Sequence, residues 1–289
     1  MRLLTVPNWS FGRNKALLRD FQSILESADV TVHYCQGDVD HNRTVVAFSG
    51  ESAVVEETLL RLCEPAFDAI DLNRHVGVHP RIGALDVCPI VPFGKSQAEL
   101  QSANASAERI AAVIGGRYGV PVYLYEKSER GRHEADLPAL RHGGFGGLLG
   151  KTLSPDFGPQ YAHTNLGVTV VGVRDFLIAV NADLGTEDLE VAKALAKQIR
   201  SMRREGDTRF LGVRALGFPL ASRNQVQVSM NLTLPDLTEV DPIMEWIADE
   251  LSELRIKLVG TELIGVIRAK DVSGATRLPI RDAQVLDIG

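Results

Sequence analysis

Apolar residues recur along the chain at two alternating spacings, and the alternation predicts a mixed α/β protein. Residues 3–9 read as a strand. Residues 15–25 set Leu17, Leu18, Phe21, Ile24 and Leu25 on one stripe, which predicts an amphipathic helix. Residues 30–34 and 43–48 are rich in Val and Thr and predict strands. Helical spacing returns over 52–70 through Val55, Leu59, Leu62, Ala66 and Ile70. Residues 84–91 predict a strand closed by Pro92. Ser96, with Glu99 three positions on, fits a capping box for a third helix that reaches about Ile114. Residues 120–125 predict a further strand.

Residues 127–165 break this regularity with many glycines, several prolines and mixed charge. They read as a long ordered loop, and a loop of that length inside a compact protein is usually functional. Strands are predicted again over 168–173 and 176–181. Thr186 is placed to cap a helix reaching about Met202, with Glu187, Asp188 and Glu190 in its first turn. Strands at 211–218 and 225–232 follow. Asp241-Pro242 reads as an N-cap followed by proline at the first helical position. A last strand is predicted over 258–267. From Phe176 onward the order is β-α-β-β-α-β, the ferredoxin-like arrangement. The first half begins the same way and then adds a helix and a strand. The fold class expected is therefore α/β: an α+β sandwich of two ferredoxin-like subdomains, residues 1–175 and 176–289, with sheets facing each other and helices on the outer faces.

Composition narrows the class. With 289 residues, 45% hydrophobic and 24% charged, the chain can build a large core without disulfides or metal. Lys plus Arg number 31 against 37 for Asp plus Glu, a formal charge of −6. A mildly acidic chain is a poor wrapper of nucleic acid. The most apolar stretch, 166–184, is interrupted by Arg174, Asp175, Asn181 and Asp183, so no membrane span is expected. The first residues show no signal-peptide pattern. Cys35, Cys63 and Cys88 form no C-x-x-C pair and read as small buried side chains of a reducing compartment. A cytoplasmic location follows.

Three clusters carry candidate chemistry: residues 38–44, 75–86 and 156–167. In the second, His79 precedes Pro80 and Arg81 in a glycine-flanked turn between a helix and a strand. An imidazole there can serve as a base near neutral pH; the plain alternative is a turn histidine bonded to backbone. His75 and His79 are four apart, but Gly77 and Pro80 argue against the continuous helix that a zinc pair of this spacing needs. No metal is expected. Gly143-Gly144-Phe145-Gly146-Gly147-Leu148-Leu149-Gly150-Lys151-Thr152 misses the phosphate-loop spacing at Phe145 and reads better as a lid. The third cluster mixes aromatic, amide and hydroxyl groups with open backbone, a lining suited to a flat heteroaromatic ligand or to an ordinary linker.

Together these clusters resemble the formiminotransferase domain of the glutamate formimidoyltransferases. The matching pieces are Val6-Pro7-Asn8 with Ser10 and Gly12-Arg13, then Asp40-His41-Asn42-Arg43-Thr44-Val45. His79-Pro80-Arg81 follows, running on through Gly83-Ala84-Leu85-Asp86-Val87-Cys88-Pro89. Pro121-Val122-Tyr123-Leu124-Tyr125, Pro155-Asp156-Phe157-Gly158-Pro159, Phe176-Leu177-Ile178-Ala179 with Asn181, Gln227-Val228-Ser229 with Asn231-Leu232, and Val259-Gly260 through Gly265 complete the match, which spans nearly the whole chain. The domain is expected to stand without its cyclodeaminase partner. The resemblance implies transfer of a formimino group from N-formimino-L-glutamate to tetrahydrofolate, which is a co-substrate, by a homodimer. It places His79 on the catalytic histidine, and Gly158, Pro159, Gln160, Tyr161, Ala162, His163, Thr164, Asn165, Leu166 and Gly167 on the folate-binding segment. Both substrates carry carboxylates, so arginines should line the site; Arg43 and Arg81 are the candidates, with local backbone bonding as their plain alternative. Phe11 and the run Gly143-Gly144-Phe145-Gly146 stand where the family often has acidic residues, and Trp9 stands where it usually has Phe. An alternative is a folate-binding relative that uses another one-carbon donor or lacks catalysis.

Overall fold

The computed structural model describes residues 1–288, and the chain divides into two compact units, Met1–Arg174 and Asp175–Gly289. In the first unit the predicted opening strand is two short ones, β1 (Arg2–Thr5) and β2 (Asn8–Trp9), separated at Val6-Pro7. Proline cannot donate to a ladder, which explains the break. Then come α1 (Lys15–Glu26), β3 (Thr31–Asp38), β4 (Arg43–Glu51), α2 (Ser52–Ala69), β5 (Leu85–Pro92), α3 (Gln97–Tyr118), β6 (Val122–Leu124), the short α4 (Leu137–Leu140) and β7 (Thr169–Val173). Helix α1 is capped by Asn14, whose side chain accepts from the Ala16 and Leu17 amides, and it buries Leu17, Phe21 and Leu25. Helix α3 starts in the Ser96/Glu99 capping box and runs past Ile114 to Gly119, which closes it at φ +63°.

These strands form one sheet in the order β3-β4-β1/β2-β5-β7-β6. Its first four positions are antiparallel and reproduce the ferredoxin-like order. Strands β7 and β6 extend it in parallel, with α3 as the crossover. Leu62, Cys63, Ala66, Ala107, Ile110 and Ile114 of the helices pack on Val46, Phe48, Leu85, Cys88, Ile90 and Val171 of the sheet. Residues at alternate strand positions, Val87 and Val170, belong to a second cluster with Ile82, Tyr125, Leu153, Ala162 and Val168. The irregular segment predicted at 127–165 thus has a small core of its own on the sheet's other face.

The second unit contains β8 (Ile178–Leu184), α5 (Leu189–Glu205), β9 (Val213–Leu220), β10 (Gln225–Leu232), α6 (Val240–Glu253) and β11 (Leu258–Ile264). Its antiparallel sheet has the order β11-β8-β10-β9, the ferredoxin-like topology expected. Two caps differ from expectation. Asp188 caps α5, accepting from the Glu190 amide, while Thr186 Oγ1 accepts from the Asp188 amide one step earlier. At α6 the N-cap is Glu239, and Asp241 lies inside the first turn. The Asp241 carboxylate is instead committed to the Thr276 and Arg277 amides and the Thr276 hydroxyl, a partner 35 residues away that local spacing cannot reveal. All three cysteines are free, with Cys63 and Cys88 buried. No helix among the described residues is long and apolar enough to cross a membrane.

Candidate active site

Four stretches of the first unit meet at one end of its sheet: residues 10–13, the β3–β4 turn, the long α2–β5 connection and residues 163–168. The strand register brings them there, since Trp9 pairs with both Thr44 and Leu85. Ser10 donates its amide to the Ala84 carbonyl at 2.8 Å and its hydroxyl to the Gly83 carbonyl at 2.6 Å. Trp9 and Phe11 both pack edge-on against Phe21, so these aromatic positions belong to the core.

Asn42 joins three of the stretches. Its Oδ1 accepts from the amides of Gly12 at 2.8 Å and Arg13 at 3.3 Å, and its Nδ2 donates to the Val76 carbonyl at 3.0 Å. It holds a left-handed φ of +47°, a conformation asparagine tolerates better than most side chains. Gly12 and Gly77 permit the close approach. A Cβ on Gly12 would lie 2.0 Å from the Asp38 carbonyl oxygen, and one on Gly77 would lie 2.4 Å from that of His41.

His79 lies half-buried in the α2–β5 connection, which contains no helix, as Gly77 and Pro80 predict. Its Nδ1 is 2.8 Å from the Pro80 carbonyl oxygen. A carbonyl only accepts, so Nδ1 carries the proton and the ring's lone pair is on Nε2. Desolvation of the ring pushes His79 well below the usual imidazole range; the positive charges of Arg43 and Arg141 and the His41 ring add to the effect, and the bond to Pro80 opposes it. The His41 ring is buried, 5.9 Å from His79 between centroids. The result is an imidazole held toward its neutral form.

Arg81 turns back on its own loop. Its Nη2 donates to the Gly77 and His79 carbonyls at 2.8 and 2.6 Å, and its Nε reaches the His79 carbonyl at 3.1 Å. Its Nη1 lies 2.9 Å from His75 Nε2, which is also 2.8 Å from the Asn42 carbonyl oxygen. One ring nitrogen cannot donate to the carbonyl and accept from the guanidinium at once, so these two contacts are alternatives. Of the two arginines picked out as carboxylate anchors, Arg81 has its Nε and Nη2 on backbone carbonyls of its own loop, the contacts of the plain alternative. Arg43, at the start of β4, is the one whose charge bears most on His79.

The predicted folate segment is bound to this loop along its second half. Gly167 and Gly83 form a bridge, Ala84 donates to the Leu166 carbonyl at 2.9 Å, Leu72 to that of Asn165 at 2.8 Å, and Asn73 Nδ2 to that of Thr164 at 2.8 Å. His163 Nδ1 accepts from the Asn165 and Leu166 amides and shapes the turn. Gly158, Pro159, Gln160, Tyr161, Thr164 and Asn165 remain exposed, while Ala162, Leu166 and Gly167 are buried. At its start the segment is fixed by Asp156. The Asp156 carboxylate accepts from the Leu124 amide at 2.7 Å and pairs with His133 Nε2 at 2.7 Å.

Sequence reasoning missed Arg141 and His133, which both lie in the irregular 127–165 segment. No periodicity marks them. Arg141 Nη2 donates to Asp86, whose other oxygen accepts from the Ile82 amide at 2.7 Å. In the second unit, the sheet carries a polar row: buried Asp183 accepts from Gln227 Nε2 at 2.7 Å and Arg223 Nη1 at 3.1 Å, and Asn181 donates to Glu262 at 3.0 Å.

Two ferredoxin-like units, one of them carrying the His79 imidazole in a turn held by Arg81, define an α/β protein of two such domains. Comparison with known proteins makes the assignment specific. Residues 2–174 match the family profile "Formiminotransferase domain, N-terminal subdomain", and residues 179–288 match "Formiminotransferase domain". A glutamate formimidoyltransferase of Streptococcus pyogenes is 33% identical over 92% of this chain and 88% of its own length, and one of Thermoplasma acidophilum is 32% identical over 91% and 86%. The formimidoyltransferase-cyclodeaminase of Sus scrofa is 36% identical over 92% of this chain, which spans half of that longer protein. The chain belongs to the formiminotransferase family.

Proposed function

We propose that this protein is a glutamate formimidoyltransferase, moving the formimino group of N-formimino-L-glutamate to tetrahydrofolate and releasing glutamate. The observation that carries the reading is the juxtaposition of the His79 connection with the segment 163–168, whose Leu166, Gly167 and Val168 pair with Ile82, Gly83 and Ala84 and whose Thr164 and Asn165 carbonyls accept from Asn73 and Leu72. The pterin amine attacks the amidine carbon, and a C–N bond forms. His79 Nε2 takes the proton that this amine must lose. The imidazolium then returns it to the glutamate nitrogen as the old C–N bond breaks. One ring alternates between base and acid, so protons balance over the cycle, and help of this kind is worth roughly 10²–10⁴-fold. Residues 158–167 receive the folate, and holding two reactants in line contributes further.

Arg43 is the candidate anchor for a substrate carboxylate, and Arg81 acts by holding the loop. The reading extends to a cytoplasmic homodimer with no resident metal. The direct test supplies purified protein with both substrates and follows glutamate release. Release that requires both substrates is expected. Tetrahydrofolate binding without any glutamate release would instead favour a relative that uses a different one-carbon donor.

A further inference from the structure

Residues 126–135, between β6 and α4, brace one side chain from several directions, and the scheme above gives them no part. Ser128 Oγ accepts from the Val173 amide at 2.8 Å and donates to Asn104 of α3 at 2.6 Å. The Glu126 amide donates to the Ala135 carbonyl at 2.9 Å and closes a small loop. Within it the Glu129 carboxylate accepts from the amides of Gly131, Arg132 and His133 at 2.6, 2.5 and 3.1 Å, and Arg130 pairs with Glu108 of α3. The His133 ring leaves this loop largely buried, lies edge-on to Tyr123 with centroids 4.9 Å apart, and meets Asp156. Asp156 Oδ2 accepts from His133 Nε2 and from the Leu124 amide, each at 2.7 Å, and Oδ1 lies 3.4 Å from Arg132 Nη1. A carboxylate this buried keeps its place through its donors, because losing one leaves charge uncompensated.

Asp156 stands two residues ahead of Gly158, where the folate segment begins. The Asp156 and Phe157 amides donate to the Val122 carbonyl at 2.9 and 3.2 Å, and the Val122 amide donates back to the Phe157 carbonyl at 2.9 Å. Gly158 then presses on α3 and the chain that follows it. A Cβ on Gly158, at φ +83°, would lie 2.8 Å from the Val120 carbonyl oxygen, and one on Gly115 would lie 2.8 Å from the Gly158 nitrogen. The far end of the segment is fixed at residues 166–168 by Ile82, Gly83 and Ala84. Between the two fixed ends residues 158–161 form a short exposed arch. We infer that His133 and Asp156 are a positioning pair for tetrahydrofolate: the ring holds the carboxylate that sets the head of this arch, so the pair governs folate affinity without entering the chemistry. The inference deepens the transferase reading and rests on residues 158–167 receiving the folate. The pair sits at the opposite end of the segment from the bonds to the His79 connection, so its loss falls on binding and spares the proton transfer.

The test compares the full-length parent with His133→Ala, His133→Leu and His133→Gln. Tetrahydrofolate affinity is read by calorimetry, the KM for each substrate and kcat by glutamate release, and folding by thermal melts. In His133→Ala the Kd and KM for tetrahydrofolate should rise about tenfold or more, while kcat at saturating folate and the KM for formiminoglutamate stay within about twofold of the parent. Gln can donate to the same carboxylate through its own Nε2, so His133→Gln should return folate affinity to within about threefold of the parent. His133→Leu fills the space without a donor and should behave as Ala does; it carries the test if His133→Ala fails to fold. Parent-like folate affinity in a folded Ala or Leu variant overturns the inference. So does a loss confined to kcat, a Gln variant no better than Leu, or the unfolding of both Ala and Leu variants, which would make the pair a support of the whole unit. The transferase reading is decided separately: it fails if the parent itself binds no tetrahydrofolate or releases no glutamate.

Discussion

Asn42 is the single side chain on which the geometry of the His79 turn most depends, and substituting it separates two effects that add in the wild type. Asn42→Gly removes the acceptor for the Gly12 and Arg13 amides and the donor for the Val76 carbonyl. Two of these bonds are short, at 2.8 and 3.0 Å, and the third is 3.3 Å; only the first is partly buried. At roughly 0.5–1.5 kcal/mol net for each well-formed bond, the loss is about 1–3 kcal/mol. Glycine meets no cost at φ +47°. Asn42→Ala loses the same bonds and must also hold its Cβ in the left-handed region, which adds about 1 kcal/mol. Alanine, ordinarily the milder change, should therefore be the worse one here. The two tryptophans make the first unit observable. Trp9 is fully buried in its core, and Trp246 belongs to α6 of the other unit, so a Trp246→Phe background leaves Trp9 as the reporter. Urea unfolding followed by Trp9 fluorescence should rank parent above Asn42→Gly above Asn42→Ala, and turnover by the still-folded variants should drop as the His79 turn loosens. Equal stability of the two variants, or a loss below about 0.3 kcal/mol in both, would refute the reasoning.

Other consequences follow from the same geometry. His79 and His163 are both held below the usual imidazole range, in each case chiefly by desolvation. In the unfolded chain both titrate near pH 6.5, so below that pH the unfolded state binds protons that the folded state refuses. Stability should be complete above about pH 6.5 and fall as the pH drops beneath it, which urea midpoints at pH 7.5, 6.5 and 5.5 would show; a midpoint that rises on acidification contradicts this. Gly167→Ala should destabilise the first unit by about 2 kcal/mol or more and weaken tetrahydrofolate binding. Gly167 has φ +71°, and a Cβ there would lie 2.0 Å from the Ile82 carbonyl oxygen. A thermal melt matching the parent's would show that the bridge to Gly83 is not a tight junction.

Much of the fold is legible in the sequence because its elements are amphipathic. The stripe of Leu17, Phe21 and Leu25 and the Ser96/Glu99 box identify α1 and α3 through local rules that the tertiary structure leaves in force. Strand β10 occupies the range its Val and Gln alternation predicts. Caps are less legible, since Asp241 is claimed by Thr276 and Arg277 through a contact distant in sequence. The site divides along the same line. His79 stands out through its place in a turn between regular elements and through the family resemblance, since its bond to the Pro80 carbonyl is also what a purely structural turn histidine would make. The role of Arg81 depends on where its guanidinium turns, and only the folded loop reveals that the Gly77 and His79 carbonyls lie within its reach. Arg141 and His133 belong to a segment with no period, whose order comes from Asp86, Asp156 and the small cluster around Tyr125 and Leu153.

The central claim is that the His79 ring carries the proton during formimino transfer. The most direct measurement compares His79→Ala with the parent in two readouts on the same samples: tetrahydrofolate binding by calorimetry and glutamate release from formiminoglutamate. A folded variant that binds tetrahydrofolate as the parent does, with release slowed by roughly 10²–10⁴-fold, is the expected result. Release at the parent's rate would remove His79 from the chemistry.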